Sequence, residues 1–336
     1  MSSSAQRVFV TGAAGYLGGN TVLRLLEKHP DANLALLVRD ESQGKILSSY
    51  WPNVEIVQGS LDDVELMRRE AAKSDVVLQT ASADHAPSAI ALIEGLAQHK
   101  PNPGYFIHVS GTGMLHDVSN GYGNLAERVY SDISELKEVT SLPIEGNIHR
   151  DVDAAVLAAH EATNVPVAII SPPTIHGVGK GPVKNRSLQI PFLTEAIIKR
   201  GKGFQVLEGQ NMWSHVHIDD AADAFIVLVE EALKPNGGNA QWGDEGYYFI
   251  EAGDFKWGDV AAAISKQLSA KGAIPTAEVD KVPVEDASAY HPWAPLLWGG
   301  NSRVRADRLR ALGWGPKHLD ILASVPEMVA QEIKKA

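Results

Sequence analysis

Gly12, Gly15 and Gly18 lie between the apolar run Val8 to Thr11 and a helix-period segment that begins at Tyr16. A strand-to-helix turn with this glycine spacing supports one kind of chemistry well. The first glycine permits a tight turn, the second lets main-chain amides approach a phosphate with no Cβ between them, and the third allows helix and strand to pack closely. The helix N-terminus then faces an anion, so Gly12, Ala14, Gly15, Tyr16, Leu17 and Gly18 are read as the cradle of a dinucleotide pyrophosphate.

The elements around this turn must hold it in register. Short β-branched runs at Arg7 to Thr11, Leu34 to Arg39, Val54 to Gln58, Asp75 to Thr80, Tyr105 to Ser110 and Val165 to Ser171 alternate with helical segments at Tyr16 to Lys28, Asp62 to Ala72, Ala86 to His99 and Ile148 to Thr163. That alternation predicts βαβ units and an α/β fold, a doubly wound parallel sheet of the Rossmann kind whose ligand crevice lies at the strand ends. After Ser171 a cluster of Pro172, Pro173, Gly177, Gly179, Gly181 and Pro182 breaks the pattern. Residues 1–171 and 216–252 are expected to form the dinucleotide-binding part, and 172–215 with 253–336 a smaller C-terminal substrate-binding region. Within the second half, Ser187 to Arg200, Ala221 to Leu233 and Trp257 to Ala270 read as helices, Trp213 to Ile218 and Gly246 to Glu251 as strands, and Lys271 to Asn301 as irregular. Ser324 is placed to cap a final helix, Ser324 to Lys334.

The 336 residues are 44% hydrophobic and 21% charged, an ordinary globular composition. A net charge of −11 repels phosphate backbones and acidic membrane surfaces, so nucleic acid and membrane are not expected partners. With no cysteine there is no disulfide, thiol nucleophile or thiolate metal site. The polar lead Met1 to Gln6 lacks the features of a secretory leader, and a cytoplasmic protein is the expectation. A homo-oligomer is left open.

The Thr11, Gly12, Gly15, Gly18 spacing resembles the extended or atypical branch of the short-chain dehydrogenase/reductase superfamily, the NAD-dependent epimerase/dehydratase-like proteins. In that family the end of the second strand selects the cofactor. Here it carries Arg39, with Lys45 six residues beyond, and cations there favour the 2′-phosphate of NADP(H). Asp40 argues the other way, so NAD(H) is the alternative. The resemblance further implies adenine contacts at Ser60 and Leu61, and ribose contacts at Thr80, Ala81 and Ser82. It places Pro172 and Pro173 beside the nicotinamide, with Asp62 read as a helix cap.

Carbonyl-reducing members carry Tyr-x-x-x-Lys one helix after a serine at the end of the fifth strand. Ser110 occupies the serine position, but no tyrosine in this chain has a lysine four residues on. Alignment of the following helix brings Glu145 and His149 to the places of the pair. The imidazole of His149 makes it a candidate acid or ribose contact, or else it simply pairs with Asp153 at i+4. Tyr122 is a further candidate from the loop-rich segment Met114 to Ser141, and His85 a candidate donor after the fourth strand.

Ser171 to Gly177 and Trp213 to Ala222 resemble two further signatures of the extended branch, as do Asn301 to Arg303 and Leu312 to Pro316 near the end of the chain. His176 and Trp213 are therefore read, with Thr112 and His85, as substrate contacts. His215 and His217 project to the same side of a strand, as zinc ligands do, but no accompanying motif supports a metal, and none is expected. His217 is read instead as bracing the helix that follows. The pocket is expected between the loop Gly177 to Arg186, the Trp213 segment and Ala287 to Trp298, where Tyr290, Trp293 and Trp298 suit an apolar or aromatic ligand.

These readings imply an NADP(H)-dependent reductase or epimerase-like oxidoreductase acting on a small activated acceptor such as an enone, imine or quinone methide, which needs little help from a tyrosine. The alternative is a catalytically silent NADP(H)-binding redox sensor, which the missing pair would equally explain.

Overall fold

The computed structural model describes residues 6–334. Its centre is a seven-stranded sheet in which every neighbouring pair is parallel. The strands are β1 (Arg7–Thr11), β2 (Asn33–Val38), β3 (Glu55–Gln58), β4 (Val76–Gln79) and β5 (Tyr105–Val109), followed by Val167–Ser171 and Tyr247–Phe249. Their spatial order is Tyr247–Phe249, Val167–Ser171, β5, β4, β1, β2, β3. The order reverses direction at β1, which opens a crevice above its C-terminal end.

Helices cover both faces, and this is why the strands read as unbroken apolar runs. Phe9, Val10, Val77, Leu78, Phe106, Ile107, Ile169 and Ile170 are all fully buried. Crossovers are made by α1 (Tyr16–Lys28), α2 (Glu41–Tyr50), α3 (Val64–Ala71), α4 (Ala86–Leu96) and the helix Arg150–Thr163. The expectation omitted α2. Its sequence, ESQGKILSSY, holds a glycine and three serines and buries only Gly44 and Leu47. What starts this helix is Asp40, whose side chain accepts from the amides of Ser42 and Gln43.

The strand expected near Trp213 runs Met212–His217 and forms a separate three-stranded sheet, parallel to Thr174–His176 and antiparallel to Gly253–Lys256. Residues 271–301 are more ordered than expected. Val279–Val282 pairs in parallel with Gly203–Val206, and Val284–Ser288 is a short helix. Pairing partners 76 positions away in register leave no local signature, as Val279 opposite Gly203 shows.

Two apolar cores result. One follows the main sheet; the other gathers Ile190, Phe204, Trp257, Ile264, Trp298 and Val325. Val304, Ala306, Leu309 and Trp314, within the segment assigned to the second region, pack into the first core instead. The last helix is Val325–Ile333, and Ser324 does not cap it with its side chain. The Ser324 hydroxyl is 2.9 Å from His176 Nδ1 instead. Among the described residues no helix is long and apolar enough to cross a membrane.

Candidate active site

At the end of β1, Gly12 adopts φ +87°, and a Cβ there would lie 2.6 Å from the Ala81 amide nitrogen. A Cβ on Gly18 would lie 2.3 Å from the Gly12 carbonyl oxygen and 2.4 Å from Thr80 Oγ1. Both glycines are demanded by the protein's own packing. Gly15 differs: a Cβ would meet only the Gly12 oxygen, at 3.0 Å, so the space beyond it is open for a ligand.

Helix α1 begins on Gly15 with no side-chain cap and no acidic residue in its first turn. The next three helices are each capped by a side chain, from Asp40, Asp63 and His85 respectively. Uncapped amides at one helix start, beside a glycine that leaves room, are a phosphate site by their own chemistry. The residues present therefore fit a dinucleotide. Tyr16 serves this turn indirectly, donating its hydroxyl to the Gly177 oxygen at 2.7 Å. Burial, then Asp219 and Glu327, push its phenol well above the usual value, so it remains a donor. Leu17 packs against the main core.

From this cradle a cavity of about 340 Å³ runs across the ends of β1, β2 and β4. Gly12, Ala14, Gly15, Arg39, Ser60, Leu61, Thr80 and Ala81 all line it. Lys45 does not; it pairs with Glu41 at 2.7 Å on the outer face of α2. Ser82 also stays outside, its hydroxyl accepting from the Asp84 amide. Asp40 is turned into the start of α2, where the Ser42 and Gln43 bonds hold its carboxyl below the usual range. It is Asp63, one residue on from the expected Asp62, that caps α3. His85 lines this nucleotide-side cavity and caps α4, with Nε2 3.2 Å from Asp62 Oδ1. Gln43 and Lys184, neither of them expected there, are also in the wall.

An adjoining cavity of about 580 Å³ is walled by apolar and aromatic groups, including Phe192, Trp213, Trp293, Leu296 and Leu297. Thr112, Pro172 and Pro173 line it as well, and the buried Thr112 hydroxyl has no partner among the described residues. Trp213 is fixed by its indole N–H, which donates to the Gly300 oxygen at 3.0 Å. Tyr290 and Trp298, both expected in this wall, pack on Phe204 within the second core, the first stacked and the second edge-on.

His149 and Asp84 meet at the mouth of the same cavity. His149 Nδ1 donates to Asp84 Oδ1 at 2.5 Å, and a Cβ on Gly111 would lie 3.1 Å from Nε2. The histidine holds φ +67° at the N-cap of Arg150–Thr163 without capping it. That left-handed backbone is unfavourable for a non-glycine residue by roughly 1–2 kcal/mol. Here it turns the ring toward Asp84 and Gly111, away from Asp153.

Asp153 faces inward and is fully buried. Its Oδ2 accepts from Ser110 Oγ at 3.0 Å and from the Tyr247 hydroxyl at 3.1 Å, while Ser171 stands 2.8 Å behind Tyr247. Ser110 is thus directed into the interior. Burial raises the Asp153 carboxyl to about 6. His108 Nδ1 donates to Gln79 Oε1 at 2.6 Å, leaving a bare Nε2 at 3.9 Å from Asp153 Oδ1. Neither of those two atoms has a partner, and burial, then His149, lower His108 to about 3.

The structure does not bring the remaining candidates to the cavity. Glu145 is exposed in the loop before His149. Tyr122 packs on the second core, facing Gly299. His176 is buried behind the wall, with Nε2 3.1 Å from His215 Nδ1. His217 Nδ1 accepts from the Asp219 amide at 3.2 Å, which is the helix brace expected of it. His217, Asp219 and His318 offer ligand atoms within 4.8 Å of one another, but Asp219 already holds Lys180 and Asn20, and His318 holds Asp220.

Residues 12–172 match the family described as NAD(P)H-binding. The curated relative Oxidase ucsJ of Acremonium is 33% identical over 98% of this chain and 98% of its own. Among solved structures, dTDP-glucose 4,6-dehydratase of Bacillus anthracis in complex with NAD superposes with a TM-score of 0.69 at 17% identity, covering 98% of this chain and 97% of that one. UDP-glucuronic acid 4-epimerase of Bacillus cereus, with UDP-glucuronic acid and NAD, gives 0.66 at 14% identity over 97% and 99%. A glycine cradle at β1, a parallel sheet reversing direction there, and a full-length relative agree: the chain belongs to the extended or atypical short-chain dehydrogenase/reductase superfamily, the epimerase/dehydratase-like NAD(P)-binding Rossmann proteins.

Proposed function

We propose that this protein is an NADP(H)-dependent oxidoreductase of small, apolar or aromatic, activated substrates, with His149 replacing the tyrosine as the proton-handling group. The observation that carries the substrate class is the wall of the larger cavity. It is aromatic and aliphatic, and among the described residues no lysine or arginine lines it. A sugar nucleotide would bring a diphosphate that such a wall cannot neutralise.

Gly12, Ala14 and Gly15 would hold the coenzyme's pyrophosphate, Arg39 the 2′-phosphate, and Ser60 and Leu61 the adenine. When bound, the nicotinamide supplies or accepts a hydride. The chain's own residues do the rest. The aromatic wall excludes water. Asp84 fixes His149 with its proton on Nδ1, so Nε2 is the atom that delivers or removes a proton at the cavity. A carbon–nitrogen or conjugated carbon–carbon double bond suits this arrangement, since either requires one proton. The name of the Acremonium relative is in keeping with redox chemistry. A cytoplasmic setting goes with this reading.

Tryptophan fluorescence titration with NADPH and NADH, followed by a screen of enone, imine and quinone methide acceptors for NADPH consumption, tests it. Tighter binding of NADPH and turnover of at least one acceptor are expected. Binding without consumption of any acceptor would replace this reading with the silent sensor.

A further inference from the structure

Residues 177–186, within the second region, run along α1 as a strap. Tyr16 donates to the Gly177 oxygen at 2.7 Å, and the Lys180 amide donates to Asn20 Oδ1 at 2.9 Å. The Lys180 ammonium reaches Asp219 at 2.6 Å. Gly181 lies flat on the helix, where a Cβ would be 2.9 Å from the Gly19 carbonyl carbon. The Gly179 amide donates to the Asn185 oxygen at 2.9 Å and closes the strap into a loop, and Arg186 is fastened to Glu332 at 2.8 Å. Anchored on both sides, the loop carries Lys184 into the wall of the nucleotide cavity, which Arg39 also lines.

Two cations thus line one cavity of about 340 Å³ in a chain of net charge −11. Neither forms an ion pair among the described residues. Asp40 is committed to α2, and Asp62, the carboxylate in the wall, is engaged with His85 and Ser60. Two like charges in one cavity, neither of them in an ion pair, favour an anionic ligand, and a dianionic phosphate satisfies both.

We propose that Lys184 is a second specificity-determining residue, binding the 2′-phosphate of NADP(H) jointly with Arg39. The inference rests on the NADP(H) reading above and adds a residue that no position near the second strand reveals. It also gives the strap a role. Ser187, Leu188 and Gln189, immediately beyond it, line the substrate cavity, so the chain that grips the phosphate continues directly into the substrate wall.

Calorimetric titration of the intact protein with NADPH, NADH, 2′,5′-ADP and 5′-ADP tests the assignment. Lys184→Gln should weaken NADPH and 2′,5′-ADP by about tenfold or more and leave NADH and 5′-ADP within about threefold, with Lys184→Arg restoring most of the loss. An equal loss on NADPH and NADH would assign Lys184 to the pyrophosphate and overturn the proposal, as would no loss at all. The two readings fail separately. Wild-type protein preferring NADH would remove the NADP(H) reading itself. A wild-type preference for NADPH that Arg39→Gln abolishes and Lys184→Gln leaves intact would remove only the role of Lys184. Lys184 is exposed, so a melting curve unchanged from wild type is expected and shows that the variant folds.

Discussion

His149 Nδ1 lies 2.5 Å from Asp84 Oδ1, and the two residues are 65 positions apart in the chain. Asp84 follows β4 and His149 opens the helix Arg150–Thr163, so the pair exists only because these loops meet above the sheet. Asp84 acts through His149, fixing its tautomer and ring orientation. His149→Ala should lower kcat by about a hundredfold or more with NADPH affinity unchanged. Asp84→Asn should lower kcat with little change in KM and alter the pH–rate profile. Unchanged kcat in both variants would remove the pair from catalysis.

The glycines of the cradle should separate folding from binding. Gly12→Ala meets the Ala81 backbone at 2.6 Å from a left-handed φ, so it should destabilise by roughly 1–3 kcal/mol. Gly15→Ala meets only the Gly12 oxygen, at 3.0 Å. It should melt close to wild type and yet lose most coenzyme affinity, because the added methyl occupies the phosphate's approach. Thermal melts and titrations on the two variants check this, and intact binding by Gly15→Ala would contradict the cradle.

Asp153 should make stability depend on pH. Its carboxyl titrates near 6 when folded, above the roughly 3.9 of an unfolded chain. Between those values the folded state binds more protons, so stability falls as pH rises through that window. Asp153→Asn removes the charge while keeping an acceptor for Ser110 and Tyr247, and its amide can donate toward the bare His108 Nε2. The variant should be more stable than wild type at about pH 7 and lose that advantage by about pH 4. His108, lowered to about 3 by burial, has the opposite slope, but it is neutral in both folded proteins across this window and an amide donating to Nε2 keeps it so, so its contribution cancels in the difference. Urea denaturation across the window measures it; a difference independent of pH would show that Asp153 does not titrate there.

Lys45 and Arg39 should behave differently although only six residues separate them. Lys45 is tied to Glu41 outside the cavity, whereas Arg39 lines it. Lys45→Gln is expected to leave NADPH affinity within about twofold, and Arg39→Gln to lower it about tenfold or more while sparing NADH. Calorimetry on the two variants decides, and a large loss from Lys45→Gln would relocate the 2′-phosphate.

The sequence by itself determined the parts of this protein that are local or periodic. The glycine turn, the six alternating apolar runs and the brace at His217 all follow from neighbours within a few residues, where backbone conformation and strand burial leave direct marks. Tertiary structure decided everything that depends on which way a side chain turns. Ser110 and His149 occupy expected positions, yet one hydroxyl points into the core and one ring points out to Asp84. Glu145 and Lys45 have suitable types at suitable spacing and lie on the surface, while Lys184 arrives from a strap far along the chain. The physical reason is that a binding or proton-handling constellation is assembled across chain ends of a sheet. Packing at each crossover, invisible to any short window of residues, sets the last few ångströms.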